Sequence, residues 1–280
     1  MTVAWEEPDW SAPAIVRAAF TLRGGGFSSP PFDGLNLANH VGDDVESVLF
    51  NRRKLVSALS LPAEPVWMNQ VHSEQVIEVT SQAVPPVNAD GSLLPAADGS
   101  LSGTADGSLL PTADGSLSGT ADGSLLPTAD GSYTREPGVV LAVFVADCLP
   151  IILASESGDE IAVLHAGWRG LASGIVAQGA ARFSSPATYA WVGPGIGPCH
   201  YEVGSDVRRQ FADYDNAFSA GRDEDHWMLD IKQIALAELQ SQGIRDISVG
   251  DRCTYCDPGR YYSARRDAEC GRMAALVWIG

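Results

Sequence analysis

Val139-Val140-Leu141-Ala142-Val143-Phe144-Val145-Ala146-Asp147-Cys148-Leu149-Pro150-Ile151-Ile152-Leu153 is the longest apolar run in the chain, interrupted by Asp147 and Pro150. Its β-prone content suits two buried strands, Val139–Ala146 and Ile151–Ala154, which the proline keeps from running into one another. The run is too short and too polar for a transmembrane helix. Downstream, Ile161–His165 reads as another strand, and a Gly-rich turn leads from it into a helix near Leu171–Phe183. Upstream, Ile15–Phe20 is a short strand that must turn at Arg23-Gly24-Gly25-Gly26. Asp43-Asp44 then caps a helix whose Val45, Val48, Leu49, Leu55, Val56 and Leu59 share one face. Val66–His72, Val76–Val79, Thr188–Val192, Ile247–Val249 and Ala274–Ile279 read as strands, and Asp230–Gln242 as a helix. Strands and helices alternate without a break in composition, which predicts a single α/β (α+β) domain over residues 1–280, with mixed β-sheets flanked by helices.

One segment departs from this pattern. An Asp-Gly-Ser triplet returns every eight residues at Asp90, Asp98, Asp106, Asp114, Asp122 and Asp130, and Ala97–Thr112 is identical to Ala113–Thr128. Calcium solenoids use nine-residue, Gly-rich units with a different placement of Asp, so residues 90–129 are expected to form an inserted flexible loop that buries too little to order itself.

The 280 residues carry 18 Lys+Arg against 35 Asp+Glu, a formal charge of −17. Nucleic acid is therefore not expected as a partner, because phosphate binding draws on clustered basic residues. The N-terminus, Met1-Thr2-Val3-Ala4-Trp5-Glu6-Glu7, has neither the basic start nor the apolar stretch of a secretory signal, so a cytoplasmic protein with no membrane partner is expected. The 5 cysteines suit free thiols or metal ligands better than a disulfide framework.

His72, Cys148 and His165 stand where strand candidates meet loops, the usual place for a site in an α/β fold. Two imidazoles and a thiolate suit zinc with a fourth position left open. The same set describes a copper centre, although 5 histidines are too few for a multicopper oxidase within one chain. His72-Ser73-Glu74 with Cys253-Thr254-Tyr255-Cys256 superficially matches the zinc deaminase signature. Arg252 stands in place of its proline, however, and the two halves lie far apart. No second ligand pair is spaced to complete a structural zinc site with Cys253 and Cys256, which are expected to be free or substrate-side thiols.

Arg23-Gly24-Gly25, Leu35-Asn36-Leu37, Val41-Gly42-Asp43-Asp44, Asn69-Gln70-Val71-His72-Ser73, Ala146-Asp147-Cys148-Leu149-Pro150, His165-Ala166-Gly167-Trp168-Arg169-Gly170, Gly193–Cys199 and Tyr262-Ser263-Ala264-Arg265-Arg266 together resemble the laccase-domain family. Its members were first called multicopper polyphenol oxidoreductases and later recognised as purine nucleoside phosphorylases. The resemblance implies a cysteine hydrolase-like fold and places Zn2+, with copper as the alternative, on His72, Cys148 and His165. It also implies phosphorolysis of adenosine, inosine, guanosine and 5′-methylthioadenosine, with deamination of adenosine in the same pocket. Ala129-Asp130-Gly131 leading to Pro137-Gly138 fits the family pattern, and the earlier copies are surplus. His200 stands where a second cysteine often follows Cys199.

Such a reaction needs an anion site for phosphate. Arg23 beside a triple-glycine turn, Arg169 after His165, and the pair Arg265-Arg266 are the candidates, because glycines let backbone N–H groups approach an anion and a guanidinium can grip two oxygens. One of Arg265 and Arg266 is expected in a surface or interface salt bridge instead. Asn36 and Gln70 suit the orientation of a ribose or a base edge. Asp147 is placed to orient a ligand or shuttle a proton, and Trp168 to stack on a purine or pack in the core. Three other readings remain open: a copper-dependent polyphenol oxidase, a hydrolase acting on a cell-wall precursor with Cys148 as nucleophile and His165 as base, and a non-catalytic binding protein.

Overall fold

The computed structural model describes residues 2–81, 117–119 and 125–280. Two sheets lie face to face. The first is antiparallel and runs β1 (Trp5–Glu6), β2 (Val16–Thr21), β15 (Met273–Ile279), β7 (Val140–Val145). The second runs β14 (Asp246–Val249), β10 (Tyr189–Val192), β8 (Leu149–Ala154), β9 (Ile161–Ala166), β6 (Gly131–Thr134), β3 (Val76–Glu78). It is mixed, because its outer pairs β14–β10 and β6–β3 are parallel and the rest antiparallel.

The strands of the apolar run, β7 and β8, are buried on both faces because each sheet is covered twice. Along β7, Leu141, Val143 and Val145 point into the core shared by the two sheets, with Ile152, Val163 and Val277. Val140, Ala142 and Phe144 point the other way, against Leu55 and Val56 of α1 (Val45–Leu59). On β8, Ile151 and Leu153 face a third core, in which Ile175 and Val176 of α3 (Ile175–Ala180) meet Ile234 and Leu239 of α5 (Ile231–Ser241). Side chains alternate across a strand, so a strand with both faces covered reads as a continuous apolar run. Among the described residues no helix is long and apolar enough to cross a membrane.

The helix expected after Asp43-Asp44 is α1, and the Asp44 carboxylate accepts the Ser47 N–H at 2.9 Å as its N-cap. Other expectations change in detail. The helix near Leu171–Phe183 is two short ones, α2 (Trp168–Ser173) and α3, broken at Gly174, whose φ of +91° suits a residue without Cβ. Val66–His72 is not a strand. It touches its neighbours through isolated bridges from Val66 to Leu141 and Asn69 to Thr128, and the Gln70 side chain takes the place of a ladder partner. Its Nε2 donates to the Phe144 carbonyl at 2.9 Å, and its Oε1 accepts the Phe144 N–H at 2.6 Å.

A small sheet of β11 (Glu202–Gly204), β13 (His226–Leu229) and β12 (Phe218–Ala220) escaped the sequence reading because its strands are short and mostly half-exposed. So did the short helices α4 (Ser205–Gln210) and α6 (Ala264–Asp267). Within the repeat, β4 (Leu117–Gly119) pairs with β5 (Leu125–Pro127). The last repeat residues join the fold: the Asn69 N–H donates to the Pro127 carbonyl at 3.0 Å, and Ala129 is fully buried. Residues 82–116 and 120–124, on which most of the expected flexible loop falls, lie outside the described residues.

Candidate metal centre and active-site cavity

The site is organised by Asp130, the last aspartate of the repeat, which is fully buried at the head of β6. Its Oδ1 accepts the His72 N–H at 2.9 Å and meets His165 Nδ1 at 2.8 Å. Its Oδ2 accepts the N–H of Val71 at 3.1 Å and of Ser73 at 2.6 Å, and the Ser73 hydroxyl at 2.8 Å. One carboxylate thus ties the Val71–Ser73 loop to the end of β9. Burial opposes its ionisation, but the bonds from His165 and Ser73 hold the Asp130 carboxyl below the usual carboxylate range.

Cys148 is presented by a sharp turn before β8. Asp147 sits at φ +95° and His72 at φ +63°, two non-glycine residues in a region that side chains rarely adopt, and such strain gathers at functional sites. The ligand atoms of His72, Cys148 and His165 all lie within 4.8 Å of one another, and the two imidazole rings meet edge to face at 4.8 Å. Gly167 leaves room for them, because a Cβ there would stand 2.7 Å from Cys148 Sγ and 3.2 Å from His72 Cδ2.

Burial works against the Cys148 thiolate, yet the facing His165 and His72 bring its pKa down to about 6. Burial likewise works against His165 protonation, yet Cys148 and Asp130 push its pKa up to about 9. These opposite shifts favour a thiolate beside an imidazolium in the metal-free pair. A cation would displace that proton and meet one anionic and two neutral donors, with Asp130 orienting His165 from behind. The donor set therefore fits Zn2+ or copper with a position open to the cavity.

That cavity, of about 560 Å³, is lined by His40, Gln70, Phe144, Asp147, Arg169, Tyr201, Arg265 and Arg272 together with the three ligand residues. Arg169 stacks on Trp168 at 4.3 Å and makes no hydrogen bond or ion pair among the described residues. Arg265 lies over Tyr201 at 5.2 Å and donates from Nη1 to the Glu202 carbonyl at 2.9 Å. Both carboxylate oxygens of Asp147 are engaged, with the Thr254 hydroxyl at 2.6 Å and the Arg265 N–H at 2.7 Å.

Two expected site residues are elsewhere. Arg23 does not line the cavity; it pairs with Asp33 at 2.5 Å and covers Tyr262. Asn36 is fully buried, its amide spent on Ala38, Asp43 and the Arg272 N–H. Trp168 is half-buried against the helix-side core and does not line the cavity.

The sequence profile described as "Multi-copper polyphenol oxidoreductase laccase" matches residues 17–280. The chain belongs to that family. It is 37% identical over 276 residues to "Purine nucleoside phosphorylase YfiH" of Escherichia coli (strain K12), covering 97% of each chain. It is 36% identical to "Purine nucleoside phosphorylase PA4543" of Pseudomonas aeruginosa, over 99% of this chain and 98% of that one. Among solved structures, Neisseria meningitidis protein NMB0706 superposes with a TM-score of 0.77 at 30% identity, over 98% of both chains. YlmD from Geobacillus stearothermophilus does so with a TM-score of 0.74 at 30% identity, over 95% of this chain and 92% of that one.

In this laccase-family chain, sequence reasoning assigned no site role to His40, Asp130, Tyr201 or Arg272. Asp130 was hidden among identical triplets; its distinguishing mark in the sequence is that its triplet alone is followed by an aromatic residue, Tyr133, which lies on β6. His40 and Arg272 come from opposite ends of the chain, and burial together with Arg272 brings the His40 pKa down to about 4. Cys253 and Cys256 are free thiols, as expected, and they do not line the cavity, so they are not on the substrate side. The tertiary fold brings Cys199 and His200, which sequence spacing does not pair with them, within 4.8 Å of them.

Proposed function

We propose that the chain is a purine nucleoside phosphorylase that also deaminates adenosine, using Zn2+ on His72, Cys148 and His165. One observation carries this reading: Arg169, without a hydrogen-bonding or ionic partner among the described residues, opens into the same cavity as the three-ligand set. The names of the relatives point the same way. Phosphorolysis forms a bond from a phosphate oxygen to the ribose anomeric carbon while the bond to the purine nitrogen breaks and its electron pair leaves with the base. Arg169 holds the phosphate, with Arg265 and Arg272 adding positive field to a chain of net charge −17. Phe144 and Tyr201 offer aromatic faces to the purine. With both oxygens engaged, Asp147 is a positioning residue that holds Arg265 and the Cys148 turn in place. Bound Zn2+ supplies Lewis acidity toward water at the purine C6. The substrates are adenosine, inosine, guanosine and 5′-methylthioadenosine, and the compartment is the cytoplasm, where free thiols persist.

The test is chromatography of adenosine incubated with metal-analysed protein, with and without phosphate. Adenine that forms only with phosphate, and is lost in His72→Ala, supports the reading; a zinc-loaded sample that turns over no nucleoside sinks it. A second reading has its own observation: Asp130, His165 and Cys148 form a relay that resembles a cysteine hydrolase triad. Hydrolysis of an amide-bonded cell-wall fragment by chelator-treated protein would favour it. Oxygen uptake with a phenol, scaling with bound copper, would favour the polyphenol oxidase chemistry of the family's description.

A further inference from the structure

The cluster Cys199, His200, Cys253 and Cys256 lies outside the cavity and serves no step of the proposed reaction. Its geometry is that of a closed ligand set. Cys199 Sγ stands 3.7 Å from Cys253 Sγ and 3.4 Å from Cys256 Sγ, and His200 Nδ1 is 3.3 Å from Cys256 Sγ. Tetrahedral zinc with Zn–S bonds of about 2.3 Å places its sulfurs roughly 3.8 Å apart, so small shifts of the side chains would close the shell. The His200 ring is fixed by stacking on Tyr255 at 3.9 Å, with 15° between the planes. The Gly197 N–H donates to Cys253 Sγ at 3.2 Å, a bond that favours the thiolate, the form that binds metal. Gly197 has no room to spare: a Cβ would stand 3.2 Å from Cys253 Cβ and 3.5 Å from Cys199 Sγ.

We propose that Cys199, His200, Cys253 and Cys256 bind a second, structural zinc ion that clamps two cavity-wall loops together. Three thiolates and one imidazole fill a tetrahedral shell and leave no position for substrate. The clamp acts at a junction that already exists. Gly195 bridges to Cys253, and the Thr254 N–H donates to the Gly195 carbonyl at 3.0 Å. On one loop, Ile196 and Tyr201 line the cavity; on the other, the Thr254 hydroxyl holds Asp147, next to Cys148. A metal at the surface cluster therefore fixes the cavity wall without touching substrate.

Metal analysis of the full-length protein, purified under reducing conditions, tests this. His72→Ala removes a ligand of the cavity set and leaves the surface cluster whole. Protein carrying it should retain about one zinc per chain and, loaded with Co2+, show the tetrahedral spectrum of a three-thiolate site. Adding Cys256→Ser should cut the thiolate-to-cobalt absorption by about a third and weaken zinc retention. Adding both Cys256→Ser and Cys199→Ser should bring zinc to about zero while the circular dichroism of the fold persists. Three results overturn the proposal: a His72→Ala protein that holds no zinc, a cobalt spectrum indifferent to Cys256→Ser, or an intact mass showing Cys199 in a disulfide and no metal.

Discussion

The two cysteine–histidine clusters differ in what surrounds them. His72, Cys148 and His165 are three candidate ligands at the wall of a cavity, backed by a fully buried carboxylate and bordered by arginines. Cys199, His200, Cys253 and Cys256 are four candidate ligands at the surface, outside that cavity, with backbone N–H support and a stacked ring. Three ligands with an orienting second partner leave a position for chemistry, whereas four ligands without one leave none. On the proposed assignments, similar donor atoms divide between reaction and architecture according to ligand number and the opening in front of them.

The contrast can be broken hardest at His72. His72→Ala should abolish nucleoside turnover, and Cys256→Ser should leave much of it; equal losses in a side-by-side assay would erase the distinction. Next in size is the partner behind the ligand. Asp130→Asn keeps the shape but removes the charge on His165 Nδ1, and metal affinity at the cavity should fall about 10- to 100-fold in a competition titration, with the surface cluster unaffected.

Arg169→Ala should raise the KM for phosphate about tenfold, the scale of one lost charge-assisted contact, while the response to nucleoside changes less. Arg23→Ala, despite its Gly-rich setting, should leave that KM alone and cost under about 1 kcal/mol of stability in denaturant titration, as expected of a half-exposed ion pair.

Alkylation of metal-free protein sharpens the comparison further. The Cys148 pKa of about 6 lies below that of an ordinary thiol, so it should be labelled at pH 7 and lose reactivity as the pH falls through 6 and the thiolate takes up its proton. Cys256 is pushed up to about 12, chiefly by its bond with Cys199, and should resist labelling at pH 7. Peptide mass mapping after iodoacetamide reads both, and preferential labelling of Cys256 would reverse the assignment.

The layers of the fold were legible where local signals are strong. The apolar run around Phe144, the Asp44 cap and the strand ending at His165 all appear close to where the sequence puts them. The sequence puts the candidate metal ligands at strand-to-loop changes; Cys148, between β7 and β8, and His165, near the end of β9, do border such changes, whereas His72 lies in a loop. Short strands such as Phe218–Ala220 lack the length for a periodic signal. Asn36 and Gln70 have the chemistry of substrate-binding amides, but backbone groups of neighbouring segments already claim their hydrogen bonds.

Hydrophobic periodicity, turn residues and a charge of −17 by themselves determined an acidic α/β chain with three candidate metal ligands and an eight-residue repeat. Only the tertiary structure decided which Asp of the six identical triplets holds His165, which arginines reach the cavity, and that Cys199 and His200 stand beside Cys253 and Cys256. Local preference is written in neighbouring residues. Proximity between distant ones is set by how the sheets stack and how the loops between them close, and no spacing along the chain encodes it.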